Sequence, residues 1–312
     1  MPSHVTQRTH GGPDVLEIVD VPRPTPAAGE ILVRVAAAAL NPVDGKTRAG
    51  KAIGLPLPLS VGWDFAGTVE QLGEGVDGFA VGDRVFGMPS FPAEVGYGQY
   101  VAAPAEHWAP SPRSLDDVHA AAVPLAALTS LQAFRRVADL QPGQRVLVHA
   151  AGGGVGHLAV QIAKILGAEV VATASADKEA FVKELGADEV VDYRAVDFAQ
   201  VLAERPVDVV LDLIGGDNAV RSVAATKPGG LVIAIPSGVD DGLEAAATAA
   251  GVRAGGWLVQ PDGDGLRELA AWIDEGRLAV TVSQTYDLAD VRQAHVALDT
   301  GRTLGKIVLT VP

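Results

Sequence analysis

The sequence predicts an α/β protein in which a doubly wound parallel sheet is joined to a second, β-rich domain. Three observations carry this expectation. From about Ser114 to Val259, helical patterns alternate with strands that read as continuous apolar runs, as in a parallel sheet covered on both faces. Before Pro112 the chain is rich in Pro and Gly and holds short alternating or β-branched runs. The stretch 262–312 returns to that pattern. The expected division is 1–113 with 262–312 for the β-rich domain, and 114–261 for the doubly wound one.

The elements follow in order. "ILVRVAAAAL", "AGTVEQLG", "DRVFGM" and "GQYVAAP" read as strands, separated by turn signals such as Gly82-Asp83. "DDVHAAAVPLAALTSLQAFRRVA" is helical and broken at Pro124. "RVLVHA" is a strand, followed by the helix "VGHLAVQIAKILG", which Gly167 closes. The strand "EVVATA", the helix "KEAFVKELG" and the strands "EVVDY", "VDVVLDLIG" and "LVIAIPS" complete the sheet. The helices "GLRELAAWIDEGRL" and "ADVRQAHVALDTG" then frame "AVTVSQTYDL", before the final strand "GKIVLTV".

Composition narrows the function. The 312 residues carry a net charge of −14, from 38 acidic and 24 basic side chains. Nucleic acid and anionic membrane both need a positive footprint, so neither is the expected partner. There is no cysteine, which excludes disulfides, thiolate zinc sites and a cysteine nucleophile. The first residues lack a basic segment followed by an apolar core, and no apolar run reaches spanning length. A cytoplasmic protein is expected.

"HAAGGGVGHLAV" sets a glycine-rich turn between a strand and a helix. In that setting glycines have a physical job: to let backbone approach a pyrophosphate and let the helix start close to the strand. Ala151 stands where the common fingerprint has its first Gly, with Gly153 and Gly156 at the second and third. Gly153, Gly154, Val155 and Gly156 are the expected phosphate contacts of a Rossmann domain. The alternative is a tight turn in a nucleotide-free sheet.

The coenzyme is read from the next strand end. NAD binding calls for a carboxylate there, about twenty residues on, but the sequence has Ala174 and Ser175, then Asp177 and Lys178. Ser175 and Lys178 can receive a 2′-phosphate, Lys as a point charge, so NADPH is expected. Asp177 is read as a cap or first-turn acid of the following helix. The ends of the fourth and fifth strands, at Gly215 and at Ile235, Pro236 and Ser237, should line the coenzyme crevice.

With these features in place the chain resembles the medium-chain dehydrogenase/reductase superfamily, and within it the zinc-independent quinone oxidoreductase branch. The resemblance runs through "NPVDGKTRAG", "GWDFAGTVEQLGEGV", "VGDRVFG", "AAAVPLAALTSLQAF", "HAAGGGVGHLAVQIAK", "LGADEVVDYR" and "GRTLGKIVLTVP". Each piece is weak alone; in family order they are specific. The resemblance implies that the β-rich domain is GroES-like and that a substrate pocket lies between the domains. It further implies a hydride transfer from NADPH to a quinone or α,β-unsaturated carbonyl, in a homodimer. Zinc-dependent members place a Cys near Asp44, a Gly-His-Glu at Gly62-Trp63-Asp64 and a Cys before Thr129. Here Trp63 stands at the His position, so no metal is expected, and Asp64 is left a structural role.

The same resemblance places Asn41 and Asp44 near nicotinamide and substrate, and Lys46 as an oxyanion or proton donor. Gly45 stands where the branch usually has Trp. The resemblance puts Thr129 beside the nicotinamide, Tyr193 at the adenosine phosphate and Lys306 at a coenzyme phosphate. The structural alternatives are a turn for Asn41-Pro42, a helix cap for Asp44, helix packing for Thr129, a strand-end aromatic for Tyr193 and a strand-edge lysine for Lys306. Trp63, Tyr97 and Tyr100 are either core or lining of an apolar pocket. The rival function is a non-catalytic NADPH-binding sensor or structural protein.

Overall fold

The computed structural model describes residues 1–90 and 96–312, which form two compact units. The first comprises Met1–Leu128, Gln260–Gly276 and Val280–Pro312; the second comprises Thr129–Val259 with Arg277–Ala279.

The first unit begins with an antiparallel pair, β1 (Ser3–Thr6) and β2 (Glu17–Asp20). Then come β3 (Glu30–Ala39), α1 (Pro42–Arg48), β4 (Asp64–Leu72), β5 (Arg84–Gly87), β6 (Tyr100–Pro104) and β7 (Trp108–Pro110). Helices α2 (Asp117–Ala121) and α3 (Pro124–Gln132) follow, divided as expected at Pro124, whose ring cannot continue a helix from the preceding turn. Segment 114–128 joins the first unit rather than the second because α2 packs on β3 and β4.

In the second unit the chain alternates strand and helix: β8 (Arg145–Val148), α4 (Gly156–Ile165), β9 (Glu169–Ala174), α5 (Glu179–Glu184), β10 (Glu189–Asp192), α6 (Phe198–Leu202), β11 (Val207–Asp212), α7 (Asp217–Ser222), β12 (Thr226–Ala234), α8 (Asp241–Ala250) and β13 (Arg253–Gly256). All six strands are parallel, in the order β10-β9-β8-β11-β12-β13. That is the doubly wound order, with its switch point between β8 and β11. Leu147, Val171, Val191, Phe198, Val210 and Val232 pack in one buried cluster; each such side chain contributes about 1.5–3 kcal/mol by leaving water. At the N-terminal end of the strands, buried Arg145 ties Glu169 (3.1 Å) to Glu189 (2.5 Å).

The chain then returns to the first unit through α9 (Gly263–Asp274), β14 (Val282–Asp287), α10 (Val291–Asp299) and β15 (Lys306–Thr310). Its main sheet runs β14-β15-β3-β4-β5-β7, with β6 also on β3. β15 is antiparallel to β3, pairing Val308 with Ala39, and Ala39 pairs in turn with Asp64 of β4. This register gathers the start of β15, the end of β3 and the start of β4 under the N-terminus of α1.

Candidate active site

In the second unit, every sequence-predicted coenzyme residue except Thr129 and Lys306 lies just beyond the C-terminal end of a parallel strand. The glycine turn follows β8, Ser175 and Lys178 follow β9, and Tyr193 follows β10. Gly215 follows β11, and Ile235, Pro236 and Ser237 follow β12. Ligands bind doubly wound sheets at this edge.

The turn itself is tight. Ala150 takes a positive φ of 50°, a conformation that costs a non-glycine residue energy. A Cβ on Gly156 would stand 2.3 Å from the Ala150 carbonyl oxygen and 2.7 Å from Ala151 Cα, so only glycine lets α4 begin this close to β8. On Gly153 the added atom would meet the same oxygen at 3.2 Å. His157, buried on α4, places Nδ1 3.0 Å from the Gly153 carbonyl; a carbonyl only accepts, so Nδ1 carries the proton and donates. Gly153, Gly154 and Val155 remain half-buried, next to a helix N-terminus whose amides favour an anion. The donor set fits a dinucleotide pyrophosphate.

Ser175 is buried and precedes a short turn, Ala176–Lys178, that leads into α5. Its hydroxyl bonds the exposed Asp177 carboxylate, and Arg194 stands 3.8 Å from the same acid. Lys178 is half-buried, and Tyr193 is 48% exposed, with the Arg194 guanidinium over its ring at 5.6 Å. Buried Asp212, which ends β11, accepts from the Ile214 and Gly215 amides and from Asn218 Nδ2. Thr129 is buried in α3. His149, at the end of β8, spans Thr173 Oγ1 and Ser222 Oγ, each at 2.9 Å, with Phe198 edge-on at 4.6 Å. Burial, aided by Arg221, pushes its imidazole down to about 3. It is a neutral packing group.

The first unit assembles the residues assigned to chemistry. Asn41 caps α1, Pro42 takes its first turn, and Asp44 Oδ2 accepts the Asn41 amide N–H at 2.7 Å. The turn and cap readings of these residues therefore hold, whatever else they do. Asn41 Nδ2 donates to Asp64 Oδ2 at 2.8 Å, and Asp64 Oδ1 accepts from the Leu125 amide at 2.6 Å. Asp44 Oδ1 is buried without a partner among the described residues. Burial pushes the Asp44 carboxyl up to about 7, against the opposing pull of its hydrogen bonds from Tyr97 and Asn41 and of the Lys306 charge. Lys46 stands exposed on α1, outside this network.

One expectation needs correction. Lys306 is not free to reach a coenzyme phosphate. It is 2% exposed, and its Nζ donates to the Leu40 carbonyl at 2.9 Å, Asn41 Oδ1 at 2.5 Å and Asp64 Oδ2 at 3.3 Å. The β15–β3 pairing turns it inward. Of the two readings given for Trp63 and Tyr97, core holds, since both are wholly buried; Tyr97 Oη donates to Asp44 Oδ2 at 2.5 Å. Tyr100 is half-buried beneath the Arg23 guanidinium, 4.7 Å from its ring centre. Sequence reasoning also missed His295 and Arg48 beside this network. Arg48 donates to His295 Nδ1 at 2.7 Å and to Asp299 at 2.6 Å, while Tyr97 meets the His295 ring edge-on at 5.8 Å. These contacts join positions hundreds of residues apart, and no local pattern announces them.

Among the described residues, no group of three or more His, Asp or Glu is gathered so as to hold a metal ion, and no helix is long and apolar enough to cross a membrane.

Residues 27–113 match the family model of the alcohol dehydrogenase GroES-like domain, and residues 185–309 match that of a zinc-binding dehydrogenase. The 2-haloacrylate reductase of a Burkholderia species is 33% identical, over 96% of this chain and 96% of its own. The chloroplastic NADPH-dependent alkenal/one oxidoreductase of Arabidopsis thaliana is 35% identical, over 96% of this chain and 77% of its own. The solved quinone oxidoreductase of Coxiella burnetii is 36% identical, with a TM-score of 0.93 over 100% of this chain and 99% of that one.

Proposed function

The chain belongs to the quinone and enone reductase branch of the medium-chain dehydrogenase/reductase superfamily, and on that premise we propose that it uses NADPH to reduce a quinone or an α,β-unsaturated carbonyl. The observation that carries this reading is the strand-end edge of the second unit, where the close-packed Gly156 turn follows β8 and no carboxylate ends β9. The Gly153–Gly156 backbone receives the pyrophosphate, and Ser175, Lys178 and Tyr193 receive the adenosine phosphate end. Gly215 and Ile235–Ser237 line the remaining crevice, with Thr129 beside the nicotinamide.

Reduced nicotinamide, when bound, supplies a hydride to an activated acceptor. Adding that hydride to a quinone or to the β-carbon of an enone leaves negative charge on oxygen, which needs fixed donors more than it needs a Lewis acid. We assign that task to the Asn41 amide and to the Lys46 ammonium, with Asp44 fixing the helix turn between them. Trp63 occupies a position at which zinc-dependent relatives carry a ligand, which supports metal-free chemistry. β13 lies at an open edge of its sheet, which supports pairing with a second copy. Oxidation of NADPH in the presence of simple quinones, enals and enones tests the reading, and a clear preference for NADH would overturn the coenzyme assignment.

A further inference from the structure

Lys306 is a buried cation whose three donors all have partners, and the Asn41 side chain is one of them. An ammonium has no lone pair and can only donate. It therefore decides which end of the Asn41 amide faces it, namely Oδ1. Nδ2 is then turned to Asp64 Oδ2, which takes one of its two hydrogens at 2.8 Å. One Nδ2 hydrogen is left to serve another acceptor. Lys306 also stabilises Asp64 as a carboxylate, against the burial that pushes its carboxyl up. An ionised Asp64 only accepts, so cation and anion enforce the same orientation from opposite ends of the amide. With the cation removed, burial favours a protonated Asp64, which both donates and accepts. The amide is then free to turn over.

We propose that Lys306 is a positioning residue that locks the Asn41 amide with its N–H directed to the acceptor, so that the acceptor's carbonyl oxygen meets a donor and never the amide oxygen. This rests on the reading of Asn41 as an acceptor-binding group. Lys306 touches neither substrate nor coenzyme in this role; it acts through Asn41, across β15, β3 and the first turn of α1.

The test is a double-mutant cycle of Lys306→Met and Asn41→Ala. Turnover is measured with NADPH and a quinone, NADPH binding by titration, folding by thermal melts, and the Asn41 side-chain amide by nitrogen–proton NMR. Each single variant is expected to lower kcat about 100-fold, the scale of one lost oxyanion donor, with NADPH affinity unchanged. The double variant should be no slower than N41A, because both changes remove one function. In K306M the Asn41 amide resonances should shift or split. Multiplying losses in the double variant, or unmoved amide resonances in K306M, overturn the inference and leave the reading of Asn41 standing. Wild-type kcat in N41A overturns that reading and the inference together. If K306M alone fails to fold, K306M combined with Asp64→Asn removes both charges and takes its place in the cycle, with the same outcomes deciding.

Discussion

Tyr97 donates its phenol hydrogen to Asp44 Oδ2 at 2.5 Å, and both side chains are fully buried. The bond closes a chain of polar contacts running from Tyr97 through Asp44 to the α1 backbone. Burial raises both groups: it pushes the Asp44 carboxyl up to about 7 and the Tyr97 phenol well above its usual value. Tyr97→Phe removes a donor that favours the carboxylate. The variant should lose about 0.5–1.5 kcal/mol of stability, the net worth of one hydrogen bond to an acceptor that keeps the Asn41 amide as its other donor, and Asp44 should titrate higher still. Denaturant melts and carboxyl NMR would read the two effects.

The raised Asp44 value fixes a sign. Folded Asp44 holds its proton from the ordinary carboxylate value of 3.8 up to about 7, whereas the unfolded chain releases it. Its contribution to stability is complete below the lower value, is lost as pH rises through that window, and levels off above it. Asp44→Asn should therefore gain stability relative to wild type between about pH 4 and pH 7, with no further gain above. A difference that grew in the opposite direction would contradict the buried protonated carboxyl.

His149 has the opposite sign. Its folded value lies near 3, below the ordinary 6.5, so the unfolded chain binds a proton that the native imidazole refuses. Stability from this group is full above about 6.5 and falls as pH drops toward 3. His149→Gln should flatten that slope, sparing about 2 kcal/mol of the loss between pH 6.5 and pH 5, at about 1.4 kcal/mol per pH unit. Thermal melts of the two proteins at both pH values check it.

Gly156→Ala tests the glycine turn. The added Cβ would lie 2.3 Å from a backbone oxygen that cannot swing away, so α4 must shift off β8. A loss of about 2 kcal/mol or more is expected from such a backbone clash, with NADPH affinity falling at least tenfold, on the order of one lost phosphate contact. Unchanged NADPH titrations in this variant would remove the turn from the coenzyme site.

Lys178→Ala tests the coenzyme assignment. Losing one cation at a 2′-phosphate should lower kcat/KM for NADPH about tenfold and leave that for NADH nearly unchanged. Equal losses with both coenzymes would point to a structural lysine.

The second unit was largely legible in the sequence because its signals are local. Apolar runs, helix closures and the glycine turn each lie within about 12 residues. The strand-end positions of Ser175, Lys178, Tyr193, Gly215 and Ser237 follow from that layout. The first unit was harder, because its polar network is made by register. Lys306 meets Asn41 only because β15 lies antiparallel to β3, and Tyr97 meets Asp44 with β4 and β5 lying between them in the chain. The capping pattern of Asn41, Pro42 and Asp44 was readable; the cation beneath it was not. A Lys opening an otherwise apolar strand, with a buried acid at the start of another, was the available signal.

The activity proposed for this chain is oxidation of NADPH coupled to reduction of an activated carbonyl acceptor. Its sharpest test is steady-state oxidation of NADPH over a panel of quinones, enals and enones. Sustained turnover with at least one of these acceptors is expected, at a slower rate with NADH. Tight NADPH binding with no turnover on any acceptor would contradict it.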